Sequence, residues 1–132
     1  MRRSLWYGVV GVVLAGAAAG FVKAATRPPD YNVKHEVVVT GKVLSVTTIP
    51  DWMGNDGVNI ALQGPETTVA HVDVATAGFL QMFDFGISVG DDLKLTGCWS
   101  EAPDGSPVFL VHEVTKRRLT LNVRDPSGRP LW

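Results

Sequence analysis

The stretch His35–Pro50, HEVVVTGKVLSVTTIP, constrains this chain most. Val, Ile and Thr dominate it, and β-branched side chains suit a pleated, half-buried surface, so it predicts one long strand. Gly41 lies in its middle, where a bulge or sharp bend lets one strand serve two sheets. If that bend requires positive φ, a β-branched residue there is excluded. Pro50 ends the stretch. A long, bent first strand followed by shorter ones is the plan of a small closed barrel.

The remaining segments fit that plan. Asp51–Gly57 (DWMGNDG) is a loop of turn-forming residues that carries Trp52 and Met53 in its middle. Gly57–Gln63 alternates apolar and polar and predicts the second strand; after the turn Gly64-Pro65-Glu66, Thr67–Val74 predicts the third. Ala75–Phe85 (ATAGFLQMFDF) changes character, and Phe79, Leu80, Met82 and Phe83 predict a short helix with an apolar face on the barrel end. Leu93–Trp99 is the expected fourth strand, Ser100–Pro107 a hairpin loop, Val108–Val114 the fifth strand and Leu119–Val123 a short sixth.

The expected fold is therefore all-β. It is a five- to six-stranded OB-like Greek-key barrel with one short helix between strands 3 and 4, preceded by a single N-terminal hydrophobic helix. The segments divide as 1–24, a membrane anchor or signal peptide; 25–35, a linker; 36–123, the barrel; and 124–132, a tail ending in Trp132 and packing back on the barrel.

Leu5–Val22 runs 18 residues without a charge after a basic start at Arg2-Arg3. That length just suffices to span a bilayer. Leu5, Trp6, Tyr7, Leu14, Phe21 and Val22 are its expected membrane contacts, the two aromatics sitting where an interfacial belt would place them. The run predicts a retained anchor in the bacterial inner membrane, single-pass, with the C-terminal domain in the periplasm. Cleavage before Ala25, after Val22-Lys23-Ala24, is the alternative and yields a secreted or periplasmic protein.

From Ala25 onward nine Lys/Arg stand against thirteen Asp/Glu, a net of −4. A chain that grips phosphate needs a basic stripe, so nucleic acid is not an expected partner. The single cysteine, Cys98, excludes an internal disulfide framework and a Cys-based zinc site.

Two groups of residues bear on function. Trp52 and Met53 in the first loop, with Trp99 entering the hairpin loop, occupy positions that flank the binding face of such barrels, and an exposed indole is a strong anchor for a partner. Rim packing is the competing reading for Trp52; for Trp99 it is capping of the barrel core, which is favoured. His71 and Asp73, two apart on a strand, leave the same face and make half of a metal site. His35, His112 and Glu113 sit on other elements, so a solvated strand face is the simpler reading. No nucleophile elbow or oriented catalytic base is visible, and no enzyme chemistry or cofactor is expected.

Several motifs carry a resemblance. Val39-Thr40-Gly41-Lys42-Val43, His71, Val89-Gly90-Asp91 leading to Leu95-Thr96-Gly97, the strand Phe109–Val114, and the tail Leu119–Trp132 are similar to a small family of bacterial OB-like domains. That family is best known from the magnetosome-associated MamS and MamX proteins. The resemblance implies a domain that follows a signal or anchor segment and acts outside the cytoplasm. The chain lacks a CxxCH haem-attachment motif, so a cytochrome role does not carry over. Together these features predict a non-enzymatic, membrane-tethered accessory domain that docks on a membrane protein or complex, with a metal- or small-ligand-binding module at His71 and Asp73 as the alternative.

Overall fold

The computed structural model describes residues 30–132. A 3-10 turn at Val33–His35 leads into β1 (Val37–Pro50), β2 (Asp56–Gln63) and β3 (Thr68–Thr76). Helix α1 (Ala77–Met82) follows, then β4 (Asp92–Glu101), β5 (Pro107–Lys116) and β6 (Leu119–Asn122). The sheet order is β3-β2-β1-β4-β5-β6, and a short parallel pairing of β3 with β5 (Val72 with Phe109, Asp73 with Leu110) closes five strands into a barrel. Strand β6 pairs with β5 outside the ring.

The long first strand does serve two partners. Its first half pairs with β4 up to Lys42–Asp92, and its second half pairs with β2 from Lys42–Gln63 onward. Gly41 stands at this handover, but its φ is not positive. Its constraint is steric: a Cβ there would lie 2.3 Å from the backbone oxygen of Gln63. The register slip in β1 comes just after, between Val43 and Ser45. A closed barrel brings backbones together at such a corner, and only hydrogen fits between them.

Period-two alternation fills the barrel. Val43, Ile60, Leu62, Val72, Val74, Leu95, Phe109, Val111 and Val114 point inward and are essentially buried. Each buried side chain of this size contributes roughly 1.5–3 kcal/mol of transfer free energy. Thr76 caps α1, its hydroxyl accepting from Phe79 N at 3.3 Å, and Phe79, Leu80 and Phe85 close one end of the core. Trp132 packs on this plug, edge-on to Phe79.

A second, smaller apolar cluster (Cys98, Val108, Leu110) forms on the outer surface of β4 and β5 and is covered by Tyr31 and Ala102. The last linker residues thus lie against the barrel. Cys98 is buried, and its sulfur accepts from Asn32 N at 3.4 Å. Among the described residues no helix is long and apolar enough to cross a membrane. The anchor residues Leu5, Trp6, Tyr7, Leu14, Phe21 and Val22 lie outside the described residues.

Candidate functional site

The outer face of β2 and β3 is flanked by the β1–β2 loop (51–55) and the β4–β5 hairpin (102–106). Both loops are built on an aspartate that binds its own backbone, the geometry that makes Asp common in turns. Asp51 Oδ1 accepts from Met53 N at 2.9 Å and Asn55 N at 2.8 Å, and the Asp51 amide donates to Asn55 O at 2.8 Å. Asp104 Oδ1 accepts from the amide and hydroxyl of Ser106 at 2.9 and 2.6 Å, and these bonds, the hydroxyl's first, hold its carboxyl below the usual range. The loops are therefore fixed platforms.

The first platform presents its apolar pair to solvent: Trp52 is 39 % exposed and Met53 63 %. Trp99 lies on the expected fourth strand but not at its end. Strand β4 continues two residues past it, to Glu101, and its ring packs edge-on against core Phe109 at 5.3 Å while remaining 50 % exposed. It both covers the core and keeps an open face.

Between the loops lie Asn59, His71 and Asp73. Since Val72 and Val74 point inward, His71 and Asp73 do share the outer face. His71 Nε2 donates to Asn59 Oδ1 at 2.7 Å, and Asn59 Nδ2 donates to Gly57 O at 3.3 Å. Burial holds the imidazole below its ordinary pKa, with the nearby charge of Asp104 opposing. The ring is thus neutral at pH 7, and Nδ1 keeps its lone pair. Burial pushes Asp73 up to about 6; Arg124 opposes this and Asp51 adds to it. Asp51 Oδ2 is buried with no hydrogen-bond partner among the described residues. No group of three or more His, Cys, Asp or Glu comes together there as a metal cage among those residues, so His71 and Asp73 gain no third ligand.

A polar clasp beside this face was not legible in the chain. Arg124 is 2 % exposed and sits where β3 and β6 leave the edge of β5. Its Nε donates to Val111 O at 3.1 Å and Nη1 to Gly128 O at 2.9 Å; Nη2 is buried without a partner among the described residues. The guanidinium lies 5.0 Å from the Tyr31 ring and 5.4 Å from the Trp132 ring. The Tyr31 hydroxyl donates to Glu36, whose Oε2 also meets His112 Nδ1 at 2.7 Å. Gly128 completes the tail turn with φ of 92°, and a Cβ there would strike the Tyr31 ring at 2.6 Å. The signal available in the sequence was the RDPSGRPLW tail; its partner, the linker tyrosine, is 93 residues away along the chain.

Charge is also sorted. From Val43 to Thr115 there is one cation, Lys94, against ten Asp/Glu. Asp91 and Asp92 are paired, with Lys116 at 3.3 Å and Lys42 at 3.1 Å. Asp51, Asp56, Glu101 and Asp104, on or beside the two loops, have no ion pair among the described residues.

No curated protein matches the chain. The family model of the MamS/MamX magnetosome proteins matches residues 36–121, which takes in the barrel strands and both flanking loops and stops ahead of Arg124 and Trp132. Covering well over half of the sequence, that match shows that this chain belongs to the MamS/MamX magnetosome protein family.

Proposed function

We propose that the barrel is OB-like with Greek-key connectivity, and that the chain is a non-enzymatic accessory domain docking on a membrane protein or complex outside the cytoplasm. In this reading Leu5–Val22 tethers it to the bacterial inner membrane. The observation that carries the proposal is the Trp52–Met53 pair, held out in solvent on a loop whose backbone is tied down by Asp51. A solvated apolar pair on a rigid platform favours an interface, because no ordering of the loop has to be supplied on binding. The acidic character of the flanking loops disfavours nucleic acid. The test is co-purification from detergent-solubilised membranes: Trp52→Ala is expected to reduce partner recovery about five- to thirtyfold, the scale of a 1–2 kcal/mol anchor. Undiminished recovery overturns the reading.

A second reading, a small-ligand or metal module, has one favouring observation: neutral His71 keeps Nδ1 unprotonated two residues from the Asp73 carboxylate. Metal analysis of the purified protein tests it, with stoichiometric metal lost on His71→Ala as the supporting result.

A further inference from the structure

We infer that the partner segment received between the β1–β2 loop and the β4–β5 hairpin is an arginine-bearing one, its guanidinium groups taken by the loop carboxylates and stacked on Trp52. This rests on the docking reading above and names the chemistry of its partner.

Three observations lead to it. The β1–β2 loop carries exposed Trp52 with Asp51 and Asp56 close by in the chain, and the other flank carries Glu101 and Asp104; Trp99, also exposed, takes the inward side of β4 against Phe109. None of those four carboxylates has an ion pair among the described residues, whereas the acids at the other end of β4 are matched by Lys42 and Lys116. One carboxylate oxygen, Asp51 Oδ2, has no hydrogen-bond donor among the described residues, so an incoming guanidinium N–H would not have to displace one.

The chain itself displays the chemistry in finished form. Arg124 lies against the rings of Tyr31 and Trp132, and burial opposes its cationic form while the charge of Asp73 favours it. Arginine suits both duties, being planar for stacking and rich in directed donors for carboxylates; lysine offers a point charge without the plane. The flanking loops repeat the aromatic and acidic parts of that arrangement and omit the cation.

The test titrates full-length protein in zwitterionic detergent micelles, at low ionic strength, with a fluorescently labelled decapeptide. The peptide carries three arginines spaced by glycine and serine, and lysine and glutamate versions serve as comparisons. The arginine peptide is expected to bind, the lysine version at least threefold more weakly, and the glutamate version not at all. Glu101→Gln combined with Asp104→Asn should weaken the arginine peptide at least fivefold. Asp84→Asn combined with Asp92→Asn, at the Lys116 end of the barrel, should leave it unchanged. Equal losses from the two pairs, or no binding by wild type, overturn the inference. Self-association abolished by Arg117→Glu with Arg118→Glu also overturns it, since the occupant would then be a second copy. If Trp52→Ala loses the native partner while peptide binding shows no charge dependence, docking stands and the arginine assignment falls. If Trp52→Ala changes neither, both fall.

Discussion

Two regions of this molecule place aromatic rings beside carboxylates, and they differ in one component. In the clasp, Tyr31 and Trp132 lie against Arg124, which is itself tied to β5 through Val111 O. At the loop-flanked face, Trp52 stands among acids with no arginine against it among the described residues, and it remains exposed, as does Trp99 on β4. Where the chain supplies its own cation, the aromatics become structural cover. Where it supplies none, they stay open at the surface. The difference separates residues that hold the fold from residues available to a partner, although their composition is alike.

The largest expected effect falls on the clasp. Arg124→Ala should cost about 3–5 kcal/mol in chemical denaturation, the range for removing one member of a buried charged group and leaving its neighbours unmatched. A loss under 1 kcal/mol would show that the guanidinium is not part of what closes the barrel seam. Tyr31→Ala removes the ring that covers the Cys98 cluster and should cost about 2–3 kcal/mol, somewhat below a fully buried aromatic because Tyr31 is only partly buried. Thiol-reactive labelling of Cys98 should accelerate in the same variant, which checks the cover directly.

Asp73, which lies between the regions, yields a pH signature. Its folded-state value of about 6 lies above the roughly 3.9 of an unfolded Asp, so the folded chain binds the proton more tightly. Stability should therefore fall as pH rises from about 4 to 6, with the cost complete above that window. Asp73→Asn should be more stabilising at pH 7.5 than at pH 4, by about 1–2 kcal/mol once partial solvent exposure of the side chain is allowed for. Melts at both pH values decide it; a pH-independent difference would mean that Arg124 fully matches the charge.

The open side should respond least in stability. Trp99→Ala loses its edge contact with Phe109 and should cost about 1–2 kcal/mol. Trp52→Ala should shift stability by less than about 0.5 kcal/mol, as surface substitutions do, while weakening partner recovery. A Trp52 variant that melts several kcal/mol lower would make this tryptophan a rim residue and erase the contrast between the regions.

Much of the barrel was legible because its signals are local. Period-two alternation and turn residues located β2, β3, β4 and β5 to within a few residues, and the loss of β-branched residues after Thr76 marked α1. Asp51, Asp104 and Asp125 build turns by bonding to their own near neighbours, so the turns too could be read from the chain. Gly41 was located by the same logic, though its reason proved to be crowding against Gln63.

The sequence by itself thus determined a long first strand, the succession of strands and helix along the chain, the acidic balance, family membership and the candidate residues Trp52, Met53, His71 and Asp73. Only the tertiary structure decided that Trp99 packs against Phe109, that His71 is held by Asn59, and that Tyr31, Arg124 and Trp132 form one cluster. Periodicity reports which face a residue takes along its own element. Which distant residues meet there depends on barrel closure, and the parallel β3–β5 pairing and the edge of β5 that it leaves free exist only once all five strands are in place.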